Sequence, residues 1–156
     1  MPTIVLNEKL TENFTLGEFI ASETAARLNI GVFVDDGGAV HSNLKRLAST
    51  LQPIRDHFGP ISITSGFRPP KLNQAIGASH KSFHQFGLAV DFVAHKATPK
   101  MVGEWVRDSG LDFDKCIVEF DRWVHIQITH EGWEPRGEVL TAKRRWGVPV
   151  YKQGIE

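Results

Sequence analysis

The chain has 156 residues, 41% of them hydrophobic and 23% charged, with 18 basic residues balancing 18 acidic ones. That length suits one domain able to bury a core, and zero net charge offers no electrostatic handle for nucleic acid or an anionic membrane. The one cysteine, Cys116, excludes an internal disulfide and a Cys-rich zinc site, so any metal must be held by histidine and carboxylate.

Residues 1–14, MPTIVLNEKLTENF, carry no basic segment followed by an apolar run, so no signal peptide is expected. No apolar stretch approaches the ~20 residues of a membrane span. These features predict a protein made in the cytoplasm, without membrane insertion, that needs help to leave the cell if it acts outside. The first helix opens at Phe14-Thr15, where Thr15 and Glu18 make a capping box and Phe14 can staple onto Phe19; its pattern runs to about Leu28. A second helix is expected from Ser42 or Asn43, since Leu44, Leu47, Leu51, Ile54 and Phe58 recur at helical spacing and Gly59-Pro60 stops them. Pro53 inside that pattern predicts a kink or break.

ISIT, residues 61–64, reads as a short buried strand, followed by a short helix around residues 71–76 and a strand over LAVDFV. Thr98-Pro99 starts another helix that Gly110 ends. KCIVEF and WVHIQI read as two strands with a tight connection, and EVLTAKRRWGVPVY as a terminal hairpin turning near Trp146-Gly147. The segments 29–41 and 131–137 show no pattern. Mixed elements with short links between the later strands point to an α+β fold with a largely antiparallel sheet. Without repeats, low-complexity tracts or linkers, residues 1–156 are expected to form a single domain with no separate binding module.

His80 and His84, four apart, share the outline of the helical zinc motif H-E-x-x-H, but Lys81 stands where its glutamate should be. Gly87 follows closely, and the alternation after it belongs to a strand. Parity then groups the side chains. Leu88, Val90 and Phe92 form one face of their strand and Asp91 the other; Val124, Ile126 and Ile128 form one face of theirs, opposite His125 and Gln127. If the two strands share a sheet, Asp91 and His125 converge on one side, and His84 can join them from the loop before Gly87. Two imidazoles and a carboxylate suit zinc, with a fourth position left open for hydrolytic chemistry at neutral pH. Spacing alone leaves the alternative of a solvated Asp91 carboxylate and a sheet-edge His125.

Ser65-Gly66-Phe67-Arg68, then Asn73, then Ser82-x-His84-x-x-Gly87-x-Ala89-x-Asp91, then Trp123-Val124-His125 stand in one order along the chain. Together they resemble the signature of the zinc D-alanyl-D-alanine carboxypeptidase family, which shares the hedgehog/DD-peptidase fold and includes many phage murein endopeptidases. The similarity extends from ENFTLGEF to the terminal hairpin, nearly the whole chain. It implies that His84, Asp91 and His125 hold one zinc ion per chain. It further implies that Arg68 stabilises an oxyanion or grips a substrate carboxylate. Ser82 would contact substrate or a ligand, or cap the turn. Trp123 is expected to pack against the sheet and Asn73 to be structural, while His41, His57, His80, His95 and His130 match no ligand position.

Many relatives carry an acid three residues before the last ligand, where this chain has Arg122. In the phage-type branch the acid lies in a strand segment that Glu119 of IVEF matches, so Glu119 is the candidate general base and Asp121 its rival. If Asp121 and Arg122 formed a two-residue turn, Glu119 would oppose Val124 and point into the core, where an unpaired carboxylate is costly. A three-residue loop of Asp121, Arg122 and Trp123 would instead pair Glu119 with His125, so an odd-length loop or a bulge is expected, with Asp121 facing solvent. The resemblance implies a monomeric zinc metallopeptidase of bacterial peptidoglycan stem peptides. Its activity would be that of a D-Ala-D-Ala carboxypeptidase or a murein endopeptidase. One setting is a phage lysis enzyme that reaches the cell wall after release. The alternative is a zinc-bearing binding module that does not hydrolyse.

Overall fold

The structure is a computed structural model that describes residues 5–156, so the first four residues of the stretch read for a leader lie outside the described residues. Helix α1 (Leu16–Ile20) starts as its capping box requires, with the Thr15 N–H donating to Glu18 Oε2 at 2.7 Å. Phe14 meets Phe19 edge-on, ring centres 6.0 Å apart. The helix does not continue to Leu28. The Phe19 carbonyl, which a longer helix would use internally, instead accepts from the Phe67 N–H at 2.7 Å. Ala21 is therefore extended, and a separate helix α2 (Glu23–Arg27) begins under a Ser22 cap whose Oγ accepts from the Ala25 N–H at 3.1 Å.

Helix α3 (Ala39–Phe58) begins a turn earlier than its apolar stripe suggests, because Gly38 serves as its N-cap and accepts from the Ser42 N–H. Pro53 does not break it. The buried stripe Leu44, Leu47, Leu51 and Ile54 runs through the proline, and packing outweighs the one backbone bond proline cannot donate. Strand β1 (Ile61–Ser65), helix α4 (Pro70–Ala75), strand β2 (Ala89–Ala94) and helix α5 (Pro99–Asp108, capped by Thr98) follow as expected. A 3₁₀ turn over Phe83–Phe86 precedes β2.

Strands β3 (Lys115–Glu119), β4 (Trp123–Gln127), β5 (Glu138–Arg145) and β6 (Val148–Gln153) complete a six-stranded sheet in the order β1-β2-β4-β3-β5-β6. All neighbours are antiparallel except β3 and β5. Residues 128–137 step over the start of β3 and deliver β5 alongside it, which makes that pair parallel. The apolar rows of Val90 and Phe92, and of Val124 and Ile126, pack beneath α1, α3 and α5 in the main core. The opposite face carries Asp91, His125, Gln127 and Glu119 beside a small apolar cluster of Ile117, Leu140 and Ala142. This α+β arrangement is the expected fold class. Among the described residues no helix is long and apolar enough to cross a membrane.

The β3–β4 connection has odd length, but its position differs from expectation. Phe120, Asp121 and Arg122 form the loop, so Glu119 opposes Trp123 and Ile117 opposes His125. Phe120 and Asp121 both adopt left-handed backbone angles, φ 57° and 56°, and the Arg122 N–H closes the turn on the Glu119 carbonyl at 3.0 Å. That is a primed hairpin turn with Arg122 as an extra residue. A shift of two in register preserves parity, so Glu119 still lies on the face of His125. Asp121 is exposed.

Candidate metal centre

Asp91 lies at the middle of β2, opposite His125 on β4, with its side chain on the face away from the core. His84 reaches the same place from the 3₁₀ turn. Ser82 Oγ caps that turn by accepting from the His84 N–H, and Gly87 ends it at φ 70°, a backbone angle for which glycine is suited. One donor atom from each of His84, Asp91 and His125 falls within 4.8 Å of the others, a grouping that could hold a metal ion. His125 Nδ1 lies 2.9 Å from Asp91 Oδ1, and His84 Nε2 lies 3.4 Å from Asp91 Oδ2.

Both imidazoles are oriented from behind. His84 Nδ1 is 2.8 Å from the Gly66 carbonyl, which can only accept, so Nδ1 carries the proton and Nε2 turns its lone pair toward Asp91. Gly66 can supply that carbonyl because the chain passes directly over α1; a Cβ there would overlap the Phe19 carbonyl oxygen and lie 2.8 Å from its carbon. His125 Nε2 faces Gln127 Oε1 at 3.4 Å, while Gln127 Nε2 donates to Asp114 Oδ2 at 2.8 Å. Asp114, 2% exposed, accepts two further bonds from the Arg136 guanidinium at 2.9 and 2.8 Å and one from the Arg136 N–H at 3.2 Å. The carboxylate thus fixes which end of the Gln127 amide meets His125, leaving Nδ1 to face Asp91. Such outer hydrogen bonds hold the tautomer and direction of metal-ligating histidines.

Burial works against the Asp91 charge, yet the bonds from His125 and His84 win and hold its carboxyl below the usual range. Burial lowers His84, against the pull of Asp91. For His125 burial also lowers, but the Asp91 bond and charge outweigh it and the ring is raised. A largely buried carboxylate between two imidazoles is a donor set that zinc fits. Cys116, on the core side of β3, has its thiol pushed up to about 12 by burial and contributes no ligand.

Glu119 approaches the cluster from β3, with Oε1 3.9 Å from His125 Nδ1. Burial and the Asp91 charge raise its carboxyl above the ordinary value, offset in part by His125 and by the Trp123 bond. That bond, Trp123 Nε1–H to Glu119 Oε2 at 3.1 Å, gives Trp123 a positioning contact as well as packing. Arg68 follows the strand β1 and is half buried, with burial lowering its guanidinium and the charges of Asp91 and Glu119 opposing that. Its Nη2 donates to Ser82 Oγ at 3.3 Å, and among the described residues its buried Nε has no partner. Ser82 therefore caps the turn and steadies Arg68 with one oxygen.

The structure brings together all six residues that the sequence singles out. The remaining histidines lie elsewhere. His41 bonds Glu8 and the Gly37 N–H, His57 stacks on Trp105, and His95 meets Ser62. His130 sits among Phe83, Phe86 and Trp133, and His80 lends only its carbonyl to Gln85. Asn73 is 2% exposed and holds the Ser79 carbonyl, a structural part. Pattern reading passes over Trp123 as a contact, places Gln127 on the His125 face without giving it a role, and passes over Asp114 and Arg136 altogether. Parity carried a signal for the first two, which share the His125 face; nothing local marks Asp114 or Arg136.

The polar face of this α+β domain thus gathers a His–Asp–His cluster that could hold a metal ion, a half-buried arginine and a glutamate. Residues 12–127 match the sequence model of Peptidase M15, and the chain belongs to that family, whose peptidases are zinc enzymes. A comparison with curated proteins finds none that matches.

Proposed function

We propose that the protein is a zinc metallopeptidase that hydrolyses peptide bonds in bacterial peptidoglycan stem peptides. The observation that supports this most is the Glu119 carboxylate beside the candidate ligands His84, Asp91 and His125. Zinc held by those three would, when bound, acidify a water and polarise a carbonyl. Glu119 takes the proton of the attacking water and returns it to the departing amine, from a position 3.9 Å from His125 Nδ1. Trp123 holds one Glu119 oxygen and leaves the other toward the cluster. Arg68 receives the negative charge that develops on the scissile carbonyl oxygen, with Ser82 fixing its direction. Gln127 and the Gly66 carbonyl keep the two imidazoles aimed.

The family and a cleft of about 710 Å³ that includes Glu119, His125 and Ser82 suit a peptide substrate. The bond would be D-Ala-D-Ala in a carboxypeptidase, or an L-Ala-D-Glu or cross-link bond in an endopeptidase, and a phage lysis enzyme is the setting proposed. Glu119 favours hydrolysis over the alternative of a zinc-bearing module that only binds. Purified protein given muropeptides, with and without chelator, tests the proposal by mass spectrometry of the products. The expected result is one zinc per chain, a defined cleavage that chelation abolishes, and loss of both metal and cleavage in Asp91→Ala. Full metal occupancy in Asp91→Ala, or cleavage indifferent to chelator, defeats it.

A further inference from the structure

Facing the cleft, side chains form rows across the strands. One row runs Trp123, Glu119, Ala142, Tyr151, and the next runs Asp91, His125, Ile117, Leu140, Gln153. The cleft follows these rows from Glu119 and His125 across Ile117 and Leu140 to Tyr151 and Gln153. Ile117 and Leu140, which line it, belong to a small apolar cluster with Ala142 and Phe120 that is separate from the main core. Between Glu119 and Tyr151 the row holds only the Ala142 methyl, so no side chain of that row stands between the phenol and the carboxylate. Tyr151 lines the same cleft as Glu119 and His125, two strands across the sheet from Glu119. Tyr151 is 53% exposed, open to a ligand.

The matched family residues end at 127, whereas β5 and β6 lie beyond them. One wall of the cleft is thus built from chain beyond the matched residues. We infer that the β5–β6 hairpin is the specificity wall of the cleft and that Tyr151 contacts a peptide lying across the strands. The distance from β4 to β6 is three strand spacings, about 14 Å, or roughly four residues of extended peptide. A phenol at that wall offers a ring face to aliphatic side chains and a hydroxyl to a peptide carbonyl. Such a contact is made equally in bound substrate and in the transition state, so it sets KM rather than kcat.

The inference rests on the peptidase reading, and one experiment separates the two. Steady-state cleavage of muropeptides by zinc-loaded wild type, Tyr151→Phe and Tyr151→Ala is compared, with Met101→Ala on the exposed side of α5 as a control. Tyr151→Ala should raise KM roughly tenfold, Tyr151→Phe by less, and kcat should stay within about twofold. Tyr151 is the only tyrosine, so phenolate absorbance reads it directly. Muropeptide bound to zinc-loaded Glu119→Gln should move its ionisation to higher pH. An unchanged KM with an unmoved ionisation overturns the hairpin wall, as does a fall in kcat alone. A zinc-loaded wild type that cleaves no muropeptide refutes the peptidoglycan reading instead. The same phenol titration against a mixed peptide digest then decides whether peptides reach the hairpin.

Discussion

Replacing Asp114 by asparagine keeps the shape of the side chain and removes one charge, and its consequences should reach the metal site through Gln127. Asp114 accepts from four donors, three on Arg136 and one on Gln127. The Arg136 bonds pull its carboxyl down from 3.8 to about 2 despite burial, with Gln127 adding to the effect. A drop of that size is about 2 kcal/mol of stability at neutral pH. Arg136 is half exposed, so salt should erode part of it. Because the folded value is depressed, this stability is present above pH 4 and disappears as pH falls toward 2. Asparagine also turns an NH₂ toward one donor pair, and if Gln127 flips to relieve this, its own NH₂ meets His125 Nε2. The conflict adds about 1 kcal/mol. It also favours the imidazole tautomer with the proton on Nδ1, the nitrogen facing Asp91. Denaturant titration should show Asp114→Asn less stable by about 3 kcal/mol at pH 7, with the gap closing at pH 2. Chelator competition should show zinc affinity reduced roughly 10- to 100-fold. A destabilised variant with wild-type zinc affinity would refute the orienting role of the Gln127–Asp114–Arg136 chain.

Glu119→Gln should keep zinc while cleavage falls on the order of 10²- to 10⁴-fold. In the metal-free protein burial raises the folded carboxyl, so ionising it opposes folding as pH rises, and metal-free Glu119→Gln should melt above metal-free wild type near neutrality. Arg68→Ala should also retain zinc and lose about 10²-fold in turnover, with Arg68→Lys recovering only part; near-normal turnover would return Arg68 to a structural role. Gly66→Ala should lower stability by about 3 kcal/mol, or prevent folding, because the new methyl overlaps the Phe19 carbonyl. Where that variant folds, its zinc affinity should fall too, since the same residue's carbonyl aims His84.

The strands and their faces were legible because alternation is a local property of the chain. Val90 and Phe92 must lie opposite Asp91, whatever the partner strand, and the buried sheet face then decides which side points to the core. The extent of α1 was not legible, because its end is set by a backbone contact from Phe67, far along the sequence. The Phe120-Asp121 turn was misplaced for a similar reason. Two non-glycine residues in left-handed conformation cost about 1–2 kcal/mol each, and the sequence shows no Asn-Gly or Asp-Gly to announce them. The compensation is tertiary: the Phe120 ring packs edge-on against Trp123 at 5.5 Å, the Arg144 guanidinium lies 4.3 Å over it, and its N–H reaches the Ala142 carbonyl. Residues 131–137, without pattern, are tied down by Asp114 through Arg136 and by the adjacent Phe113 carbonyl on Gly137. In each case the missing information sat elsewhere in the chain. The side of the sheet on which Glu119 lies survived the misplaced turn because a register change of two residues cannot move a side chain across a sheet. Parity, more than register, is therefore what a sequence reveals about a site built on strands.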